Sequence, residues 1–260
     1  MVSGNKWWKL KHNLAAAAAA GHETLLTFGG AYSNHLYATA AAAQEMGFKS
    51  IGVVRGERTV PLNQTLSFAE KQGMHLEYVN REHYRHKTET GFIESLKDKF
   101  GDFYLIPEGG TNELAIKGVE EWAMQLLKNH DFDYLILPVG TGGTIAGLIN
   151  ALPQKKIIGI SSLKGGSFLQ REIQQWLKTD SKNWQIETSF HFGGYGKVNR
   201  QLIDFITRFE PDHGIPLDPV YTGKMMFGLL ELIKRGAIEN NSKILVLHTG
   251  GLQGRAGFNF

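Results

Sequence analysis

The strongest constraint on the fold is the alternation of short apolar runs with helix-forming segments along the chain. Residues 24–28, 50–54 and 134–139 are three of the apolar runs, and each has the length and residue types of a buried β-strand. Helix-favouring segments such as residues 34–46 lie between successive runs. This alternation is typical of parallel sheets, because parallel neighbours need a long crossover connection. The sequence therefore predicts an α/β fold built on parallel sheets.

Glycine-containing segments follow four of the predicted strands, at residues 29–34, 109–112, 140–144 and 249–251. Ligands of open parallel sheets bind beyond the carboxyl ends of the strands, so these segments are candidates for one site. The segment 140–144 opens a predicted helix, and its glycines and backbone amides predict a phosphate-binding site. It is not a Walker A loop, and the dinucleotide fingerprint fails because Ile145 stands at its third glycine position. A turn with a purely structural role is the alternative.

Lys6 stands behind a small-residue turn at the start of a predicted helix. A lysine that attacks a carbonyl must be neutral, and burial, positive neighbours and a helix N-terminus each lower a lysine pKa. Lys9 lies nearby on the same helix, and two tryptophans at positions 7 and 8 are able to shield the amine from water. These features predict that Lys6 holds pyridoxal phosphate as a Schiff base. A solvated basic helix start is the alternative.

The composition excludes several classes of site. The 260 residues include no cysteine, so disulfides, thiolate zinc sites and a cysteine nucleophile are excluded, and a reducing cytoplasm is the expected location. A net charge of +3, without a basic run that contains aromatic residues, makes nucleic acid an unexpected partner. His83 and His86 lack a third ligand at a suitable spacing, so we expect no metal.

We expect neither a signal peptide nor a membrane span. No stretch reaches the ~20 apolar residues that a transmembrane helix needs. The alanine run at residues 15–20 follows three lysines, but it is short and weakly apolar, which favours a packed helix over a signal sequence. A further segment, residues 191–197, surrounds Tyr195 with glycines and is predicted to be a loop that carries this ring, with a plain linker as the alternative.

Five motifs occur in one order along the chain. They are Gly4-Asn5-Lys6-x-x-Lys9-Leu10, Gly29-Gly30-x-x-Ser33-Asn34, the loop at residues 140–144, Asp218-Pro219-Val220-Tyr221-x-Gly223-Lys224, and Gly250-Gly251. From residue 3 to about residue 251, their combination resembles the 1-aminocyclopropane-1-carboxylate deaminase/D-cysteine desulfhydrase family. These are pyridoxal-phosphate enzymes of the tryptophan-synthase-β type, also described as fold type II.

The resemblance implies a role for each matching residue. Lys6 would carry the cofactor and move the Cα proton of the substrate. Ser33 would meet the substrate carboxylate or Cα, and Tyr195 and Tyr221 would lie over the substrate. The other implied cofactor contacts are Asn34 at the ring 3-hydroxyl, Gly140, Thr141, Gly142, Gly143 and Thr144 around the phosphate, Lys9 as an added positive charge there, Thr222 at the pyridine nitrogen, and Thr249 and Gly250 after the last strand.

Two departures from the family pattern bear on the reaction. Family deaminases have glutamate where this chain has Thr222, and glutamine where it has His35. A hydroxyl would leave the pyridine nitrogen neutral, and both departures favour a D-cysteine desulfhydrase-like α,β-elimination to pyruvate, ammonia and sulfide. The alternatives are 1-aminocyclopropane-1-carboxylate deaminase, which releases 2-oxobutanoate and ammonia, a catalytically weak ligand-binding relative, and a Rossmann-like nucleotide-binding enzyme.

The resemblance also implies two domains with the active site in the cleft between them. The smaller domain is expected at residues 10–115, inserted into a larger cofactor-binding domain of residues 1–9 plus 116–260. A homodimer acting on a small amino acid is expected. Family chains have a longer segment ahead of the lysine motif, so we expect the N-terminal part of this chain to be short.

Overall fold

The computed structural model describes residues 4–258, so residue 3, where the resemblance to the family begins, lies outside the described residues. The chain divides into two compact units, the first ending at Thr111 and the second beginning at Asn112. No helix among the described residues is both long and apolar enough to cross a membrane.

The first unit contains a four-stranded sheet with the order β3-β2-β1-β4, in which all neighbours are parallel. Its elements are α1 Asn5–Ala19, β1 Thr24–Gly29, α2 Asn34–Met46, β2 Lys49–Arg55, α3 Gln64–Lys71, β3 Met74–Val79, α4 Thr90–Phe100 and β4 Tyr104–Ile106.

The second unit contains a sheet of the same design, with the order β7-β6-β5-β8 and parallel neighbours. Its elements are α5 Glu113–Asn129, β5 Tyr134–Val139, α6 Gly143–Ala151, β6 Lys156–Ser161, α7 Leu169–Gln174, β7 Trp184–Glu187, α8 Arg200–His213, α9 Thr222–Lys234 and β8 Ile244–Val246. The predicted α/β fold with parallel sheets is confirmed.

Local signals set most of these elements. In α2, Ser33 caps the N-terminus by accepting a hydrogen bond from the Leu36 amide, and Gly47 ends the helix in the left-handed conformation with a φ of 77°. The apolar side chains of α1 and β1, among them Leu10, Leu14 and Leu25, form one core cluster with alanines of α2. Small alanines allow α2 to lie close to the sheet.

Three features differ from the sequence-based expectations. The alanine run of α1 is helical but not tightly packed, and only Ala17 in it is buried. An α-helix has 3.6 residues per turn, so only the residues on one face of it contact the core. For residues 167–179 the sequence predicts one continuous helix, but the structure has a 3-10 turn followed by the six-residue α7. The short edge strand β7 was not predicted, since its four residues are partly exposed and lack an apolar run.

The two compact units differ in one place from the predicted domains. The break after Thr111 lies close to the predicted boundary at residue 115. Residues 5–9, which were assigned to the larger domain, belong to the single helix α1, whose apolar face packs within the first unit. The division therefore places this segment with the first unit.

The strand order reverses direction at one point in each sheet. In the first sheet β1 lies between β2 and β4, and in the second β5 lies between β6 and β8. Crevices at such reversal points, beyond the carboxyl ends of the strands, are the usual ligand sites of parallel sheets. The four glycine-containing segments follow β1, β4, β5 and β8, which are the strands on either side of the two reversal points.

Candidate active site

Lys6 lies in the first turn of α1, after Gly4, which occupies the N-cap position with a φ of 67°. The Lys6 side chain is partly buried. Burial lowers its pKa from 10.5 to about 8. Roughly a tenth of such an amine is neutral at pH 7, against less than about a thousandth for an ordinary lysine. This is the property that a lysine needs to attack an aldehyde.

Lys9 lies one turn further along α1 and is 1% exposed. Its ammonium donates to the Gly109 carbonyl and to Thr111 Oγ1, the latter at 2.9 Å. Burial, and then the charge of Lys6, hold the pKa of Lys9 well below its usual value. Lys9 thus ties α1 to the segment that follows β4. Its predicted contribution to a phosphate site stays a prediction.

Ser33 and Asn34 stand at the start of α2, directly beyond the carboxyl end of β1. The Ser33 hydroxyl accepts the Leu36 amide at 3.2 Å and keeps its own proton for another acceptor. The site requires glycine at position 29, because a Cβ there would lie 2.6 Å from Ser33 Oγ. Asn34 is the first residue of α2 and comes directly after the N-cap Ser33.

His35 forms a buried network that sequence reasoning missed. Thr27 Oγ1 donates its only proton to the Ile106 carbonyl at 2.8 Å, so it accepts from His35 Nε2, also at 2.8 Å. This fixes the tautomer and leaves Nδ1 as a buried acceptor with no hydrogen-bond partner among the described residues. Burial, followed by the charges of Lys6 and Lys9, holds the pKa of His35 well below its usual value. The imidazole is neutral.

The segments after β1 and β4 meet at this histidine. A Cβ on Gly110 would lie 2.9 Å from His35 Cε1, so the imidazole packs directly on the backbone that follows β4. Gly110 has a φ of 69°, which favours glycine there. Within the first unit, the reversal point therefore brings together the start of α2 and the glycine turn held by Lys9.

The predicted phosphate segment lies between β5 and α6. Gly142 is the N-cap in the left-handed conformation, with a φ of 79°, and no side chain caps the helix. Thr144 is buried in the first turn. A helix N-terminus with glycines at its start suits a phosphate, because backbone amides and the helix dipole both favour an anion. The residues present fit the phosphate group of the predicted cofactor.

The two predicted tyrosines lie together in the second unit. The rings of Tyr195 and Tyr221 are 6.0 Å apart between centroids and meet edge to face, at 68°. Tyr221 also lies over the phosphate segment, because a Cβ on Gly140 would be 3.5 Å from its Cε1 and 3.8 Å from its hydroxyl. Thus the two tyrosine rings are in contact, and one of them lies against the glycine segment.

Asp218 organises the start of α9, a role that sequence reasoning did not assign. Its carboxylate accepts the amides of Val220, Tyr221 and Thr222 and the Thr222 hydroxyl. Burial raises the pKa of Asp218, and the four hydrogen bonds oppose that rise. Thr222 has no exposed surface. Two residues later, the buried Lys224 donates hydrogen bonds to carbonyls of the loop that contains Tyr195. Sequence reasoning did not assign this role to Lys224 either.

Thr249 and Gly250 follow β8, which pairs directly with β5. Thr249 is buried, and the Gly250 amide donates to His248 Nδ1 at 3.3 Å. Because β5 and β8 are parallel, their carboxyl ends lie at the same edge of the sheet, and residues 249–250 therefore follow the edge that residues 140–144 also follow. Across residues 4–258, no group of three or more histidine, aspartate or glutamate side chains is arranged to hold a metal ion.

The geometry defines a class of protein: a parallel-sheet α/β protein with a lysine of lowered pKa at one helix start and, at another, a glycine segment without a side-chain cap that suits an anion. The sequence profile of the family described as "Pyridoxal-phosphate dependent enzyme" matches residues 3–250. The chain belongs to this family. It is therefore a pyridoxal-phosphate-dependent enzyme.

Individual relatives agree with this assignment. A protein of Pyrococcus furiosus, named provisionally as a 1-aminocyclopropane-1-carboxylate deaminase, is 30% identical over 97% of this chain and 82% of its own length. A mitochondrial protein of Arabidopsis thaliana, named bifunctional D-cysteine desulfhydrase/1-aminocyclopropane-1-carboxylate deaminase, is 28% identical over 97% of this chain and 70% of its own. The crystal structure of an ACC deaminase homologue is similar, with a TM-score of 0.85 and 28% identity over 98% of this chain and 82% of that one.

Proposed function

We propose that this enzyme catalyses α,β-elimination from a small β-substituted amino acid, with D-cysteine as the preferred type of substrate. One water molecule is consumed by hydrolysis after the elimination, and the products are pyruvate, ammonia and sulfide. The observation that carries the proposal is Thr222, a fully buried hydroxyl at the position where the resemblance implies a contact with the pyridine nitrogen. A carboxylate there would favour a protonated ring and the harder opening of a cyclopropane.

Bound pyridoxal phosphate supplies an electron sink that stabilises negative charge at the Cα of an amino acid. In the proposal, the Lys6 amine would hold the cofactor and, when free, would take the Cα proton of the substrate. A pKa of about 8 supports this, since the amine is near the pH at which a base both accepts and returns protons efficiently.

Other residues of the chain bind and orient the substrate in this proposal. Ser33 donates its hydroxyl proton to the substrate carboxylate, and Asn34 bonds the ring 3-hydroxyl. Residues 140–144 would hold the phosphate, and Thr249 and Gly250, which follow the neighbouring strand β8, would add to the cofactor site. Tyr195 and Tyr221 lie over the substrate, where a hydroxyl is able to give a proton to the departing thiol.

A panel of amino acids tests the proposal. The purified holoenzyme is given D-cysteine, L-cysteine and 1-aminocyclopropane-1-carboxylate, and sulfide, pyruvate and 2-oxobutanoate are measured. We expect sulfide and pyruvate in equal amounts from D-cysteine, at a higher kcat/KM than for either other compound. Release of 2-oxobutanoate without sulfide would reverse the assignment in favour of the deaminase.

The deaminase is the second candidate, because both relatives described above include that activity in their names. A third outcome, bound cofactor with no turnover of any β-substituted amino acid, would identify a ligand-binding relative. Thr222→Glu provides a further check, since it places a second carboxylate next to Asp218. We expect it to weaken elimination without creating ring-opening activity.

The proposal also includes a homodimer in the cytoplasm. Light scattering on the purified holoenzyme should give twice the chain mass of 28.9 kDa. Fractionation of the source cells should place the protein with cytoplasmic markers, and its recovery with secreted or membrane proteins would contradict the proposed location.

A further inference from the structure

Lys224 is a lysine with no exposed surface, three residues after Tyr221 along α9. Its Nζ donates to the His191 carbonyl at 2.9 Å and to the Gly194 carbonyl at 2.7 Å. Burial lowers its pKa to about 8, against an opposing effect of the Asp218 carboxylate. A buried ammonium is costly unless it is hydrogen-bonded, so these two bonds offset a substantial desolvation penalty.

The two acceptor carbonyls belong to the loop at residues 191–197, which contains Tyr195. The Gly194 amide donates to the His191 carbonyl at 2.9 Å, and the Lys197 amide donates to the Gly194 carbonyl at 3.0 Å. The His191 and Gly194 carbonyls therefore each accept two hydrogen bonds, one from an amide of the loop and one from Lys224. Gly194 has a φ of 113°, a conformation that the turn holds only with glycine.

The other tyrosine is held by the residues that lead into α9. Asp218 accepts the Val220 amide at 2.9 Å and the Tyr221 amide at 2.8 Å, which sets the backbone from which the Tyr221 ring projects. Residues 218–224 thus hold one tyrosine through Asp218 and the loop of the other through Lys224. The edge-to-face contact of the two rings joins these two anchored segments.

We propose that Lys224 is a positioning residue that restrains the loop 191–197 and thereby sets Tyr195 against Tyr221. Its catalytic consequence rests on the proposed function, in which these tyrosines lie over the substrate. The restraint of the loop does not depend on that function, so the two statements fail separately. A lysine that only stabilises the fold is the competing explanation.

Hydrogen exchange tests the restraint directly. Holoenzymes of the wild type, Lys224→Met and Lys234→Met are compared, the last being an exposed lysine at the end of the same helix. In Lys224→Met we expect the amides of residues 192–197 to exchange faster by at least about tenfold, because hydrogen bonds to a charged group contribute about 1.5–3 kcal/mol. Amides of β5 should not change. Unchanged loop exchange in a folded Lys224→Met protein overturns the proposal.

A double-mutant cycle tests the action through Tyr195. We expect Lys224→Met and Tyr195→Phe each to lower kcat/KM for elimination, and the double variant to lose no more than about the larger single loss. Independent losses that multiply would mean that Lys224 does not act through this tyrosine. If the wild type shows no elimination, the proposed function fails while the exchange experiment still decides the role of Lys224.

A measurement on the wild type keeps the proposal testable if Lys224→Met does not fold. Trace acetylation of the holoenzyme with acetic anhydride, followed by mass spectrometry, compares Lys224 with the exposed Lys197 and Lys234. We expect Lys224 to react at least tenfold more slowly than either. Equal rates would show that the lysine is not held in the loop and would overturn the proposal.

Discussion

Thr222 and Asp218 form a reciprocal pair at the start of α9: Thr222 Oγ1 donates to Asp218 Oδ2 at 2.6 Å and accepts the Asp218 amide at 2.8 Å. Both residues are buried, with exposed fractions of 0% and 1%. A hydroxyl has one proton and two lone pairs, so while this pair is kept Thr222 has one lone pair left as an acceptor. Asp218 therefore orients the hydroxyl before any ligand arrives, and Thr222 is able to donate to a neutral pyridine nitrogen only by giving up its bond to Asp218 Oδ2.

Replacement of Thr222 by valine should destabilise the protein. The Asp218 amide would lose its acceptor and the carboxylate one donor in a buried site, at a cost of about 1–3 kcal/mol. Thr222→Ser is the matched control, since it keeps the hydroxyl and removes one methyl group, worth about 0.8 kcal/mol. Urea unfolding of the three proteins measures the difference. A valine variant as stable as the serine variant would show that the pair contributes no net stability.

Lys6→Ala should abolish the visible absorbance band that pyridoxal phosphate gives when it is joined to an enzyme amine. Elimination should fall by roughly 100-fold or more, because the base that moves the Cα proton is gone. Lys11→Ala on the same helix is the control, since its ammonium lies 5.1 Å from the Trp8 ring and has no assigned catalytic role. Lys11→Ala should keep the band, and retention of the band in Lys6→Ala would contradict the assignment.

Cofactor uptake by the apoprotein should follow the titration of Lys6. Its pKa of about 8 means that the neutral amine fraction rises with pH up to about 8 and then levels off. An ordinary lysine with a pKa near 10.4 would continue to gain reactivity well above that pH. Stopped-flow absorbance of pyridoxal phosphate binding between pH 6 and about 10 measures the rate. A rate that still rises tenfold per unit above pH 9 would refute the lowered pKa.

The neutral state of His35 should make stability depend on pH. Because its pKa in the folded protein lies well below 6.5, the unfolded chain binds more protons just below that pH. The stabilisation from a neutral His35 is thus fully present above about pH 7 and is lost as pH falls from 6.5 towards the folded-state pKa, by at most about 1.4 kcal/mol per pH unit.

His35→Gln should remove this slope, because glutamine keeps a donor towards Thr27 and does not titrate. Unfolding free energies of the two proteins are compared between pH 5 and about 8. His83→Gln is the control, because His83 is exposed. If the wild type and His35→Gln lose stability in parallel as the pH falls, His35 is not the group responsible.

Gly29→Ala should destabilise the protein by about 1–3 kcal/mol, the usual cost of overpacking. The added Cβ would lie 2.6 Å from Ser33 Oγ and 2.8 Å from Leu36 Cγ, so the start of α2 must shift. Gly91→Ala in α4 is the matched control, with no heavy atom within 4 Å of the new Cβ, and should be neutral or slightly stabilising. Thermal unfolding measures the loss of stability, and kcat/KM measures the effect of the shifted helix start on activity. Equal unfolding temperatures of the two variants would rule out the close contact.

Local sequence signals predicted most of the fold correctly. Helix α2 has the predicted bounds because Ser33 and Gly47 cap it, and β5 has its predicted bounds because it is continuously apolar. Short elements were predicted less well. The strand β7 and the irregular turn before α7 depend on neighbours that a four- or six-residue segment does not encode.

The sequence by itself determined the alternation of the longer strands and helices, the glycine segments at strand ends, the place of Lys6 at a helix start and the family resemblance, because these depend on periodicity, caps and motifs within a few residues. Only the tertiary structure decided which partners the buried polar groups have. Lys9 meets Gly109, 100 residues away, and Lys224 meets Gly194, 30 residues away. A buried ammonium must find acceptors somewhere, but the chain has many carbonyls, and only the packing of the sheets and helices selects which of them come within hydrogen-bonding distance.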